Sequence, residues 1–251
     1  MCLGNNIFVS KFKEKSSLSF SSSKTLYVGG NGPDNYTFIR DAVYDANLGD
    51  TVFVYSGIYY EYHIDITKSI NLIGENKDTT IVDARNNDWM IFNLWGDSDG
   101  VNITGFQLLN SGSSYAGITT STNNHNFYDN IICSHSIGIQ MFHSYNVIVE
   151  NNEFSKCYIG VDFYEAHDDE IINNTFHDCT CGITPEFSNF KIVGNTFRNN
   201  YCGVSLEYLN NTIVSNNVFI NNIGAIYLGW AYNNSIWPSL LQNRLNGSER
   251  T

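Results

Sequence analysis

From about Asn130 onward the chain repeats a phrase of 21 or 22 residues: Asn, any residue, Phe, a Gly eight positions after the Asn, then two spaced apolar residues. The copies are Asn130-Ile-Ile with Gly138, Asn152-Glu-Phe with Gly160, Asn174-Thr-Phe with Gly182 and Asn195-Thr-Phe with Gly203. A fifth, Asn217-Val-Phe, carries Ala225 in the Gly slot. A unit this small cannot bury its own apolar face, so a period this regular means units stacked on copies of themselves.

Strand alternation sorts each unit into faces. Ile132, Phe154, Phe176, Phe197 and Phe219 form one inward column, and Ile139, Val161, Ile183, Val204 and Ile226 a second. Met141, Phe163, Pro185, Leu206 and Leu228 form a third. Three inward columns per unit predict a coil of three short strands, each coil lying on the last in parallel register. The Asn column is expected to stack amide on amide. Asn also tolerates the left-handed backbone of a sharp corner, and the Gly column is expected to mark a second corner.

Upstream, Thr25-Leu-Tyr-Val28 reads as a strand and Gly29–Pro33 as a turn. Phe38, Ile39, Ala42, Val43 and Ala46 fall at helical spacing, with Asp34 or Thr37 as N-cap and Gly49 as the stop. Short β-branched or aromatic bursts follow, from Asp50-Thr-Val-Phe-Val-Tyr55 to Val101-Asn-Ile103, punctuated by Gly, Asn and Asp. The organisation expected is a leader at 1–24, disordered or mis-called, and a solenoid over 25–236. Cap and opening coils fill 25–105 and regular repeats 106–236. An irregular tail at 237–251 resembles a truncated coil with no cap, open to end-to-end contact.

The chain has 251 residues, 35 of them Asn, and 32 Phe and Tyr against 13 Lys and Arg. Its net charge of −12 disfavours nucleic acid or an anionic membrane as partner, since both need clustered cations. No run of about 18 apolar residues offers a membrane span. The leader, with four Lys and a Ser run at Ser16–Ser23, lacks the apolar core of a signal peptide. The six Cys show no paired zinc spacing. Cys157 shares a slot with Cys179, and Cys181 with Cys202. Either pair fits a disulfide, but a ladder of small buried thiols is the preferred reading.

Asn146-Val-Ile-Val-Glu-Asn-Asn-Glu-Phe154, Asp169–Phe176, Lys191–Phe197 and Asn211–Phe219 resemble the units of right-handed parallel β-helix proteins, the pectin-lyase-like superfamily. Within it they are most similar to the NosD-type repeats called CASH domains. The resemblance covers roughly Lys24 to Ile236. It implies an all-β, right-handed, single-stranded parallel β-helix with three strands per coil and a short N-terminal capping helix. It also implies an extracellular, cell-surface or periplasmic setting.

Enzymes of that superfamily hold sugar chains along the outer face of one sheet. The matching outward columns here read Gln140, Asp162, Thr184, Ser205, Tyr227 and Phe142, Tyr164, Glu186, Glu207, Gly229. Asp162, Glu186 and Glu207 are the catalytic candidates; Phe142, Tyr164, Tyr227 and Gln140 are the carbohydrate-binding candidates. Glu186 and Glu207 should lie one strand spacing apart, which couples their titration. Solvated surface is the plain alternative, because outward positions of any solenoid are polar. The lone Arg of the regular coils, Arg198, is off this strip, which counts against a lyase with an Arg base.

No cofactor or metal site is expected. Glu165, His167, Asp168, Asp169 and Glu170 form an acidic corner without a Ca²⁺-loop spacing. His135, Cys157, Cys179, Met141 and His143 occur too irregularly for a copper motif. Three functions follow. The first is a non-catalytic secreted or surface protein presenting a glycan- or partner-binding face. The second is a polysaccharide hydrolase, favoured over a lyase. The third, by resemblance to NosD, is an accessory factor in copper-enzyme maturation.

Overall fold

A computed structural model describes residues 23–208, 212–229, 234–237 and 240–242; most of the leader and the last nine residues lie outside them. Among the described residues, three parallel sheets have ten, nine and eight strands. One coil shows the plan. Ile148–Glu150 lies in the first sheet, Glu153–Ser155 in the second and Ile159–Tyr164 in the third, and His167–Ile172 returns to the first. Stacking is in register: Phe154 faces Phe176, Val161 faces Ile183 and Phe163 faces Pro185. Leu240–Gln242 continues the second sheet against Val218–Ile220.

The three inward columns form the core together with a fourth that the first sheet supplies, Phe127, Val149, Ile171, Ile192 and Val214. Phe154, Phe176, Phe197 and Phe219 are fully buried, their rings stacked at 4.7–4.9 Å with planes within 8°. Met141, Phe163 and Leu206 are equally buried, but Leu228 is 63% exposed. It stands in Gly224–Gly229, the last strand of the third sheet among the described residues.

The Asn column forms the expected ladder. Backbone N–H groups of Asn130, Asn152, Asn174 and Asn195 donate to the side-chain oxygen of the Asn one coil on, at 2.8–2.9 Å. Side-chain Nδ2 groups reach the same oxygens at 3.1 Å, and that of Asn152 also donates to the Phe127 and Glu150 carbonyls. The left-handed residue is not the ladder Asn but the one before it: Asp129, Asn151, Asn173, Gly194 and Asn216, at φ of 54–71°.

The Gly column does not mark a corner. Gly138, Gly160, Gly182 and Gly203 are the second residues of third-sheet strands, and they are Gly because the Phe stack leaves no room. A Cβ on Gly160 would stand 2.6 Å from the Phe176 ring and 2.5 Å from the Gly182 oxygen. The second corner lies five residues after the ladder Asn, in the slot of His135, Cys157, Cys179, Asn200 and Asn222. There Ser111 N–H donates to His135, Cys179 N–H to Asn200, and Asn200 N–H to Asn222. Cys157, Cys179, Cys181 and Cys202 are free buried thiols, with Cys181 opposite Cys202.

The third corner holds a sparser ladder. Val101 N–H donates to His125 Nδ1, Val147 N–H to Asp169 Oδ1 and Thr212 N–H to Asn234 Oδ1. Asp169 is fully buried, and its other oxygen has no partner. Burial, then the nearby Asp168 charge, pushes its carboxyl up to about 8 against the pull of the Val147 N–H. A protonated carboxyl has the shape of the Asn amide used elsewhere in the ladders.

The capping helix is Ile39–Asp45, shorter than the sequence suggested at its C-terminal end, which closes at Ala46 rather than Gly49. Neither Asp34 nor Thr37 caps it. The Glu61 carboxylate, buried against the helix, accepts from Ile39 and Arg40 N–H at 2.7 and 3.1 Å and so caps it from a neighbouring coil.

Two stability predictions follow from these packings. Gly160→Ala is expected to cost about 1–3 kcal/mol through overpacking, read by urea unfolding; an unchanged midpoint would refute the role given to the column. For Asp169 the folded-state proton is held up to about pH 8, whereas the unfolded carboxyl loses it near the ordinary value of about 3.9. Stability is therefore full below about pH 4 and falls by about 1.4 kcal/mol per pH unit until the folded group ionises. Asp169→Asn should remove that slope, matching the parent near pH 4 and exceeding its melting temperature at pH 8. A difference that ignores pH would be the contrary result.

Candidate functional site

Strand alternation carries the inward columns into the core and leaves their neighbours on the outer face of the third sheet. Along the two outward columns Gln140, Asp162 and Thr184 lie opposite one another in successive coils, as do Phe142, Tyr164, Glu186 and Glu207, and Ser205 lies opposite Tyr227, as the sequence predicts. Asp162 is tied into the sheet: Thr184 Oγ1 donates to its Oδ1 at 2.6 Å, and Gln140 Nε2 approaches its Oδ2 at 3.4 Å. Two candidates from the sequence thus hold each other. Glu186 and Glu207 stand directly opposite on adjacent strands, both exposed. Neither makes an ion pair among the described residues.

Aromatic side chains flank these carboxylates. Phe142 is half-buried and Tyr164 exposed on the strip itself, and Tyr227 is exposed in the last strand. Beyond the alternating pair, at the corner leaving the third sheet, stand Phe187 and Tyr208, 49% and 47% exposed. Their rings stack at 5.3 Å with planes 16° apart, and Phe187 meets Tyr164 edge-on at 6.1 Å. His143 packs edge-on against Tyr164 and pairs with Glu165 at 2.9 Å. Phe187 and Tyr208 hold φ of 51° and 55°, a region in which bulky residues are rare. Sequence reasoning missed both. Their signal was an aromatic directly after the second outward residue in two successive units, Glu186-Phe187 and Glu207-Tyr208.

The acidic corner does not gather. Asp169 points into the core, Glu170 pairs with Lys191 at 2.6 Å, Glu165 with His143, and Asp168 bonds with Asn189. The soft-ligand set is equally scattered. His135 is buried with its ring nitrogens against Ser111 Oγ and the Leu108 carbonyl, Met141 lies in the core, and His143 is exposed at the far end of that strand. Among the described residues no three His, Cys, Asp or Glu side chains form a metal-binding group.

A groove of about 1000 Å³ opens at the opposite edge of the third sheet, where the second sheet turns into it, lined by Asp88, Lys156, Tyr158 and Asp178 among others. A hydrogen bond from His177 at 2.8 Å holds Asp178 below the usual carboxylate range. None of the catalytic or saccharide candidates lines it.

Fold and face together define a parallel β-helix protein with an exposed acidic and aromatic strip on one sheet. The sequence matches the right handed beta helix region family over residues 90–237, more than half of the chain, and the protein belongs to that family. No curated protein sequence matches it. Among solved structures it is similar to the catalytic domain of a GH87 alpha-1,3-glucanase in complex with nigerose, at TM-score 0.56 and 13% identity over 94% of this chain. The chain spans about half, 47%, of that domain. It is also similar to a pectin methylesterase in complex with a hexasaccharide, at TM-score 0.54 and 11% identity over 84% of this chain and 82% of the other. Rice weevil pectin methyl esterase follows at 0.54 and 12%, over 90% and 92%. At these identities the likeness establishes the pectin-lyase-like fold. No helix among the described residues is long and apolar enough to cross a membrane.

Proposed function

We propose that the protein is a non-catalytic saccharide-binding β-helix of an extracellular, cell-surface or periplasmic setting, and that the strip on the third sheet is its binding face. The observation that carries this is the exposed ring column Tyr164, Phe187 and Tyr208, two of whose members sit at positive φ. Nothing in the stacking of coils asks for aromatics there. Asn, Asp or Gly would meet the backbone demand at lower cost, so the rings are kept against local preference.

Ring faces offer flat apolar platforms for sugar rings, and Gln140, Glu186 and Glu207 offer polar contacts beside them. Coils repeat at about 4.8 Å, close to the length of one pyranose unit, so successive coils can meet successive sugars. The saccharide complexes of the two structural neighbours support the reading at the level of fold. The opposed pair Glu186 and Glu207 favours a hydrolase as the second reading.

Binding is read by titration with a panel of neutral and charged oligosaccharides. Tyr164→Ala and Phe187→Ala should each weaken it threefold to tenfold, from about 0.5–1.5 kcal/mol per ring contact. Phe187→Asn should weaken binding equally while leaving the melting temperature unchanged or higher. Affinity indifferent to all three changes would overturn the reading. Reducing-sugar release abolished by Glu186→Gln or Glu207→Gln would replace it with the hydrolase.

A further inference from the structure

We propose that the glycan taken by this face is a polymer of unacetylated hexosamine, carrying an ammonium on each unit; the proposal rests on the saccharide reading above. The two coils that follow Tyr164 each present a ring and a carboxylate side by side, Glu186 with Phe187 and Glu207 with Tyr208, one coil apart. A chain of amino sugars repeats the complementary pair, a ring face and a cation at the ring edge, at nearly the same interval. Face and ligand therefore match in chemistry and in period.

Charge decides between classes of glycan. No Lys or Arg occupies either outward column of the third sheet from Asn93 to Gly229. The corner positions beside them are His143, Glu165, Phe187 and Tyr208, and His143 is already engaged by Glu165. On the adjoining first sheet Lys191 is held by Glu170 at 2.6 Å. Asp162 adds a carboxylate whose neighbours, Thr184 and Gln140, are neutral. A uronate polymer would bring like charge to this strip, and a neutral glycan would leave Glu186 and Glu207 opposed without relief. Like charges directly opposite on adjacent strands are unfavourable, and an ammonium placed between them removes that repulsion. The chain's net charge of −12 reinforces the preference at long range.

The test compares four hexasaccharides on the full chain: glucosamine, N-acetylglucosamine, glucose and galacturonate, by calorimetry at a pH where the amine is protonated. Glucosamine hexamer should bind at least tenfold tighter than its acetylated form and should weaken as salt is raised. Glu186→Gln and Glu207→Gln should each cost roughly fivefold for glucosamine hexamer and markedly less for the acetylated form, since Gln keeps a polar contact but not the charge, with circular dichroism confirming the fold. Equal binding of the acetylated or glucose hexamer, or tighter binding of galacturonate, would overturn the amine preference while leaving the saccharide face standing. Failure of all four to bind would remove both.

Discussion

The structure depends first on how its corners satisfy buried backbone N–H groups. A coil of three short strands turns three times in about 22 residues, and each turn exposes donors that the parallel ladders cannot reach. An unmet buried donor costs about 1–3 kcal/mol, so an unserved corner in every coil would exceed the stability of an ordinary domain. The side-chain oxygen of an Asn in the next coil meets that need at the first corner, in the same way four times over. Each amide serves the coil before it and is served by the coil after it. The Phe stack beneath follows from that spacing, and the Gly column follows from the Phe stack.

This dependence explains what was legible in the sequence. Residues repeated for one purpose, such as the Asn and Phe columns, declare their face by alternation. The second corner was hidden because its slot accepts unlike residues: His135, Cys157, Cys179, Asn200 and Asn222 satisfy it by imidazole, thiol or amide. Gly was misread as a corner residue because its cause is steric and lies in the following coil, where a Phe ring occupies the space of a Cβ. The helix cap was hidden for a related reason, since Glu61 reaches Ile39 across 22 positions. Phe187 and Tyr208 fell outside the outward pair because the chain is already turning there. Asp169 shows the limit of reading residue type as environment: a carboxylate in an acidic stretch is, in the fold, a buried stand-in for an amide.

Scaffold and face are written in separate positions. The inward columns, the residues before the ladders and the ladder slots are constrained by stacking; the outward pair and the residue after it are not. Where unconstrained positions carry plain polar residues, as at Thr184 and Ser205, they ask for no explanation beyond solubility. Where they carry half-exposed rings at positive φ, as at Phe187 and Tyr208, local backbone preference has been given up, and the rings' stacking on each other offsets part of that cost. Strain of this kind costs about 1–3 kcal/mol per residue, and the preceding coils carry His143 and Glu165 in the same left-handed slot.

The same geometry bears on catalysis. Acid catalysis by a carboxyl needs a site that excludes water and shifts the group toward neutrality. Asp162 accepts hydrogen bonds from Thr184 and Gln140, so both its oxygens are already engaged within the sheet. Glu186 and Glu207 are both exposed and stand opposite one another on adjacent strands. An open, charged and ring-bearing surface suits recognition of a long chain over several coils, where many weak contacts add along the axis.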